Sequence, residues 1–138
     1  MATKNRLNNN MVNTIEGKDF KINNLNPEIA TIYPLFKDKE YTGFDGNYLV
    51  VDFGNDRKPG DLTTVNFIFQ SDKYKINSTG ASCGCTNPTY RKTENSNEYH
   101  VTIEFRSNQI TQNVSKMATL YLNNNQHMLK FNIVMNRP

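Results

Sequence analysis

From residue 47 to the C-terminus, apolar residues tend to fall on every second position, and nothing there repeats at helical spacing. That pattern suits a strand with one buried face and one wet face, because successive side chains point to opposite sides. Residues 99–106 are the clearest case. Tyr99, Val101, Ile103 and Phe105 lie on one side, and His100, Thr102, Glu104 and Arg106, preceded by Glu98, lie on the other. Residues 48–53 (YLVVDF) read as a strand stopped by Gly54, and 55–61 (NDRKPGD) as a turn built on Pro59-Gly60. Residues 62–70 follow with Val65, Phe67 and Phe69 on one face, and 73–76 open a third strand that runs toward two cysteines. Residues 117–122 and 128–135 form a closing pair joined across 123–126. Several short strands at this spacing predict an antiparallel β-sandwich.

Leu, Ile, Val and Phe total 32 of 138 residues, just above the fraction below which chains stay disordered. One modest core is available; two full domains are not. Residues 1–46 show no sustained period, although Leu7, Val12, Ile15, Phe20, Ile22 and Leu25 are scattered through them. They read as a mostly irregular N-terminal arm ahead of a sandwich domain spanning 47–138. One short helix is expected inside the arm. Asn26 can cap it, Pro27 suits its first position, Ile29, Ile32 and Phe36 share a face, and Pro34 stops it within two turns. A disordered tail is the alternative. If the arm cannot bury its own apolar residues, they can enter a neighbour by strand addition at a free sheet edge. Phe20, Ile22, Ile29, Ile32, Tyr33, Leu35 and Phe36 are the candidate interaction residues.

Asparagine is unusually common, 22 of 138 residues with triplets at 8–10 and 123–125. It disfavours helix interiors and suits turns, although a low-GC genome is the plainer and preferred account of the count. Residues 81–88 read ASCGCTNP. In an extended strand Cys83 and Cys85 would share a face with Cα atoms roughly 6.5 Å apart. A disulfide between them would need a tight turn at Gly84. In a chain with two cysteines and no leader, free thiols are expected, packed as small apolar groups at a glycine-kinked bend. The sharper reading is zinc, with Cys83, Cys85, His100 and His127 as ligands of suitable type. Neither pair has the usual metal spacing, so no metal and no cofactor is expected.

Asp52-Phe53-Gly54, Pro59-Gly60-Asp61, Phe67 with Phe69, and Ser82-Cys83-Gly84-Cys85-Thr86 with Pro88 resemble, in this order, the DUF1573 family. That family comprises immunoglobulin-like, ASPM/SPD-2/Hydin-type domains common in Bacteroidota. Residues 99–105 resemble its strand after the cysteine turn, and 119–134 its closing pair, so the resemblance covers about residues 48–136. It implies an immunoglobulin-like sandwich with no established catalytic activity, and by itself sets no function. Two departures stand out: no secretion signal precedes the domain, and TENSNE at 93–98 replaces the family's usual Pro-Gly turn. A leaderless domain behind a long arm is also similar, in organisation and composition, to small virion proteins of crAss-like tailed phages.

No phosphate-binding glycine loop, nucleophile elbow, His-Glu-x-x-His run or EF-hand loop occurs, so no catalytic residues are assigned. Asp52, Asp56, Asp61 and Glu94 fall at strand ends and turns, where solvated carboxylates are ordinary. With 16 basic and 13 acidic residues the net charge of +3 is too weak to argue for nucleic acid. The pairs Arg57-Lys58, Lys73 with Lys75, and Arg91-Lys92 read as solubilising surface. The longest apolar run is four residues, 48–51, which excludes a membrane-spanning helix and a signal-peptide core. The expectation is a non-enzymatic structural protein of a phage virion, made in the host cytoplasm, as a capsid auxiliary protein or neck or tail ring subunit. Its partners would be other virion proteins and copies of itself, with no small-molecule substrate, nucleic acid or membrane. The alternatives are a cellular immunoglobulin-like envelope or adhesion domain and a zinc-stabilised binding module.

Overall fold

A computed structural model describes residues 13–17, 19–34, 48–54, 62–106 and 114–135. Among the described residues there are ten strands and no helix: β1 (Thr14–Gly17), β2 (Phe20–Asn24), β3 (Thr31–Pro34), β4 (Tyr48–Asp52), β5 (Leu62–Gln70), β6 (Ile76–Ala81), β7 (Thr86–Lys92), β8 (Glu98–Arg106), β9 (Val114–Leu122) and β10 (His127–Met135). They form two five-stranded sheets, sheet A in the order β1-β2-β5-β8-β7 and sheet B in the order β3-β4-β10-β9-β6. The period-two pattern does what it promises. Val65, Phe67 and Phe69 of β5, Val101, Ile103 and Phe105 of β8, and Leu129, Phe131 and Ile133 of β10 are all buried. Across the two layers Phe67 meets Phe131 with ring centroids 5.3 Å apart, and Phe53 stacks on Phe105 at 6.1 Å. The protein is a β-sandwich.

Three expectations need correction. First, the segment expected to be an irregular arm supplies β1, β2 and β3 to the two sheets. Phe20, Ile22 and Ile32 enter the chain's own core, and Ile29 packs against it. Strands of four or five residues offer only two or three inward positions each, too few for a period to show. Tyr33 is half-buried in β3, while Leu35 and Phe36 lie outside the described residues. Second, the expected helix is one turn. Asn26 O accepts from Ile29 N–H at 2.9 Å and from Ala30 N–H at 3.2 Å, and the chain then pairs with β4 as β3. Third, β4 runs parallel to β10, with Leu49 opposite Phe131. Alternation reports which face a side chain takes and is blind to strand direction.

The second asparagine triplet makes the β9–β10 turn. Asn123, Asn124 and Asn125 all have positive φ, 52°, 57° and 67°, a left-handed conformation that asparagine tolerates better than most residues. The Asn123 side chain accepts from Lys75 N–H at 2.9 Å and donates to Lys73 O at 3.2 Å. Asn77 Nδ2 donates to Asn125 Oδ1 at 2.7 Å.

Candidate functional site

The Cys-Gly-Cys segment is the turn that carries the chain from β6 in sheet B to β7 in sheet A. Here the expectation of free thiols is corrected: Cys83 and Cys85 form a disulfide. The turn brings their Cα atoms to 5.3 Å, within the range a disulfide spans, whereas an extended strand would hold them farther apart. Cys83 O accepts from Thr86 N–H at 3.3 Å, and Cys85 O from Arg106 N–H at 2.9 Å. Both cysteines are half-buried and Gly84 is exposed.

Cys83, Cys85, His100 and His127 are not brought together. His100 pairs with Arg91 while Thr86, beside the cysteine turn, pairs with Phe105, a separation of roughly 16 Å along the strand. His127 begins β10 in the other sheet, with its ring edge-on to Tyr74 at 5.3 Å. Among the described residues no three metal-capable side chains gather. Of the carboxylates noted, Asp52 accepts from Gly54 N–H at 2.8 Å, which makes it a turn residue. Burial, with Asp52 beside it, raises the Tyr33 phenol above its usual range. Asp56 and Asp61 lie outside the described residues. One concavity of about 580 Å³ mixes Arg91 and Lys92 with Glu94 and Glu98, so it selects no single charge.

His100 instead sits in a chain of hydrogen bonds over the outer face of sheet A. Arg91 donates to its Nδ1 at 2.9 Å, and its Nε2 lies 3.1 Å from Asn66 Oδ1. Arginine can only donate, so the ring is neutral with its proton on Nε2. Asn66 in turn donates through its backbone N–H and Nδ2 to Asn26 Oδ1, at 2.8 and 2.9 Å. Burial, then the Arg91 charge, lowers the His100 pKa. The unfolded chain therefore binds this proton more readily than the folded one. The stabilisation is fully present above pH ~6.5, the unfolded value, and is lost as pH falls below it. Urea midpoints are expected to drop between pH 7.5 and 5, by less in His100→Gln.

A sandwich must manage its sheet edges, and here they are treated unequally. On β3, Ala30 O accepts from Asn24 Nδ2 at 2.8 Å, just ahead of the strand. The Asn13 side chain accepts from Ile32 N–H at 2.5 Å and donates to Ile32 O at 2.6 Å, acting as a one-residue strand partner. Pro34 has no N–H to offer. In the first half of β7, Thr86 N–H is taken by Cys83 O. Pro88 again lacks an N–H, and its carbonyl accepts from Thr79 of β6 at 2.9 Å. β6 carries a bulge between Ile76 and Ser78, a device that ends regular pairing. Among the described residues, β1 and the second half of β7, both in sheet A, carry none of these devices. Pro34 and Pro88, which cannot donate to a ladder, are the residues that could have signalled an edge; Asn13 and Asn24 give no such signal.

The model of the DUF1573 family, whose description is "Protein of unknown function", matches residues 47–136. No curated protein and no solved structure matches the chain. The match starts just before β4, so β1 to β3 lie outside it while completing both sheets. With the match spanning about two-thirds of its length and taking in the Ser-Cys-Gly-Cys-Thr turn, the chain belongs to the DUF1573 family.

Proposed function

We propose that this protein is a non-enzymatic structural component of a phage virion, a capsid auxiliary protein or a neck or tail ring subunit, that works by holding other protein chains against its sandwich. The observation that carries the reading is the selective sealing of edges. Side chains and prolines close β3 and the start of β7, while β1 and the end of β7 keep backbone groups facing outward. A domain with defined protein contacts needs that pattern, since strand addition at an open edge gives affinity through the main chain. The virion setting draws on the similarity in organisation and composition to small virion proteins of crAss-like tailed phages.

The disulfide favours a second reading, a cellular envelope or adhesion domain of a Bacteroidota protein, because such bonds persist in oxidising compartments. Particle surfaces are oxidising too, so it does not count against the first. Quantitative mass spectrometry of purified particles after lysine cross-linking separates them. Under the virion reading the chain is present in many copies, cross-linked to capsid, portal or tail proteins. Its absence from particles, with recovery in a host envelope fraction, overturns that reading.

A further inference from the structure

We propose that the two open edges of sheet A are made for each other: β1 of one copy adds beside the end of β7 in the next copy, in parallel, so that sheet A runs on from molecule to molecule. The hydrogen-bond phase of each edge is set by bonds at its flank. Asn24 N–H donates to Asn13 O, so Asn13 and Asn24 form a bonded pair in the β1–β2 ladder. Bonded pairs alternate in an antiparallel ladder. Ile15 therefore bonds to β2, and the backbone groups of Thr14 and Glu16 point away from the sheet. In the same way, Arg106 N–H donating to Cys85 O and Thr93 N–H donating to Glu98 O fix the phase of β7. Its Tyr90 and Lys92 backbone groups point away from β8.

The side chains then decide the direction. Thr14 and Glu16 are exposed on the outer face, while Ile15 is buried. In β7 the outer-face residues are Thr89 and Arg91, both exposed, and Tyr90 packs against the core. Antiparallel pairing would put Glu16 opposite Tyr90 or Lys92 and force outer-face residues against inner-face ones. Parallel pairing sets Glu16 opposite Arg91 with every face matched. The neighbours that follow are Thr14 with Thr89, Ile15 with Tyr90, and Glu16 with Arg91: polar on polar, apolar on apolar, acid on base. Such cross-strand pairs favour association. Tyr90 N–H meets Thr14 O, Glu16 N–H meets Tyr90 O, and Lys92 N–H meets Glu16 O.

A head-to-tail contact of this kind closes into a ring or continues as a filament. Each contact is short and far smaller than a standard interface, so pairing is weak between two molecules and strengthens when the set closes. The inference rests on the structural-subunit reading for its setting only, because it is measured on the purified full-length chain. Sedimentation velocity from micromolar to millimolar concentration is expected to show growth beyond the monomer. Glu16→Arg and Arg91→Glu should each raise the association midpoint at least tenfold, and the double variant, which restores the acid–base pair in swapped form, should return it. Lys92→Pro, at an N–H that β8 does not use, should abolish growth while the melting temperature shows that the fold is kept. A chain that stays monomeric at millimolar concentration overturns the proposal. So does assembly indifferent to Lys92→Pro and to the charge reversals, and either result leaves the particle experiment to decide the virion reading separately.

Discussion

A chain beginning at residue 47, where the family match starts, is expected not to fold. Removing the first 46 residues takes away Ile15, Phe20, Ile22 and Ile32, which are 7%, 5%, 0% and 0% exposed. Burying a side chain of this size is worth about 1.5–3 kcal/mol, so the four together contribute about 6–12 kcal/mol. A whole domain is stable by only about 5–15 kcal/mol. The loss is also topological. β2 pairs with β5 from Lys21 opposite Gln70 to Asn24 opposite Phe67, and β3 covers β4. Without them the nine-residue, apolar β5 becomes a bare sheet edge, an aggregation hazard. Far-UV circular dichroism and size exclusion of residues 47–138 beside the full chain decide the matter. A cooperative melt and a monomeric elution volume for the shorter chain would show that the first three strands are dispensable.

Gly17→Ala is expected to destabilise the protein by about 1–3 kcal/mol, the usual cost of overpacking. Gly17 ends β1 directly opposite Phe20, and a Cβ there would overlap the Phe20 ring. The ring has little room to retreat, since Phe20 is 5% exposed and stacks on Phe69 with centroids 5.9 Å apart. Denaturant midpoints measure the loss, with an unchanged slope showing that stability alone has moved. Adding Phe20→Leu should make the alanine much less costly, because the two changes share one contact and their effects should not add. Additive effects would show that Gly17 acts through its backbone instead.

How much of this could be read from the residues differs from strand to strand. β5, β8 and β10 are nine residues long, with four or five turns of the alternation each, and their core residues are apparent from the pattern. β7 was harder: TNPTYRK is mostly polar, and its place is set by pairing with β8. β1 to β3 are too short and too polar to announce themselves. The helix signals at Asn26 and Pro27 are real local preferences, spent on a single turn because Ile32 gains more by entering the core between the sheets. The cysteine turn was legible as a bend, but not as a covalent one, since residue spacing in a strand misjudges a distance that a turn sets. The polar network was the least legible part. Asn13 and Asn24 resemble any other asparagine until the fold places them 2.8 Å apart.

That amide at Asn13 has a consequence for how the molecule opens. It belongs to the stretch leading into one layer, yet it fastens the border of the other. Fraying at this corner therefore cannot stay within a single layer: when the leading stretch peels away, the Ile32 amide is released to solvent in the same event. Hydrogen exchange at the two borders should then keep a common tempo, as in a single cooperative unit, although some twenty positions of chain separate them.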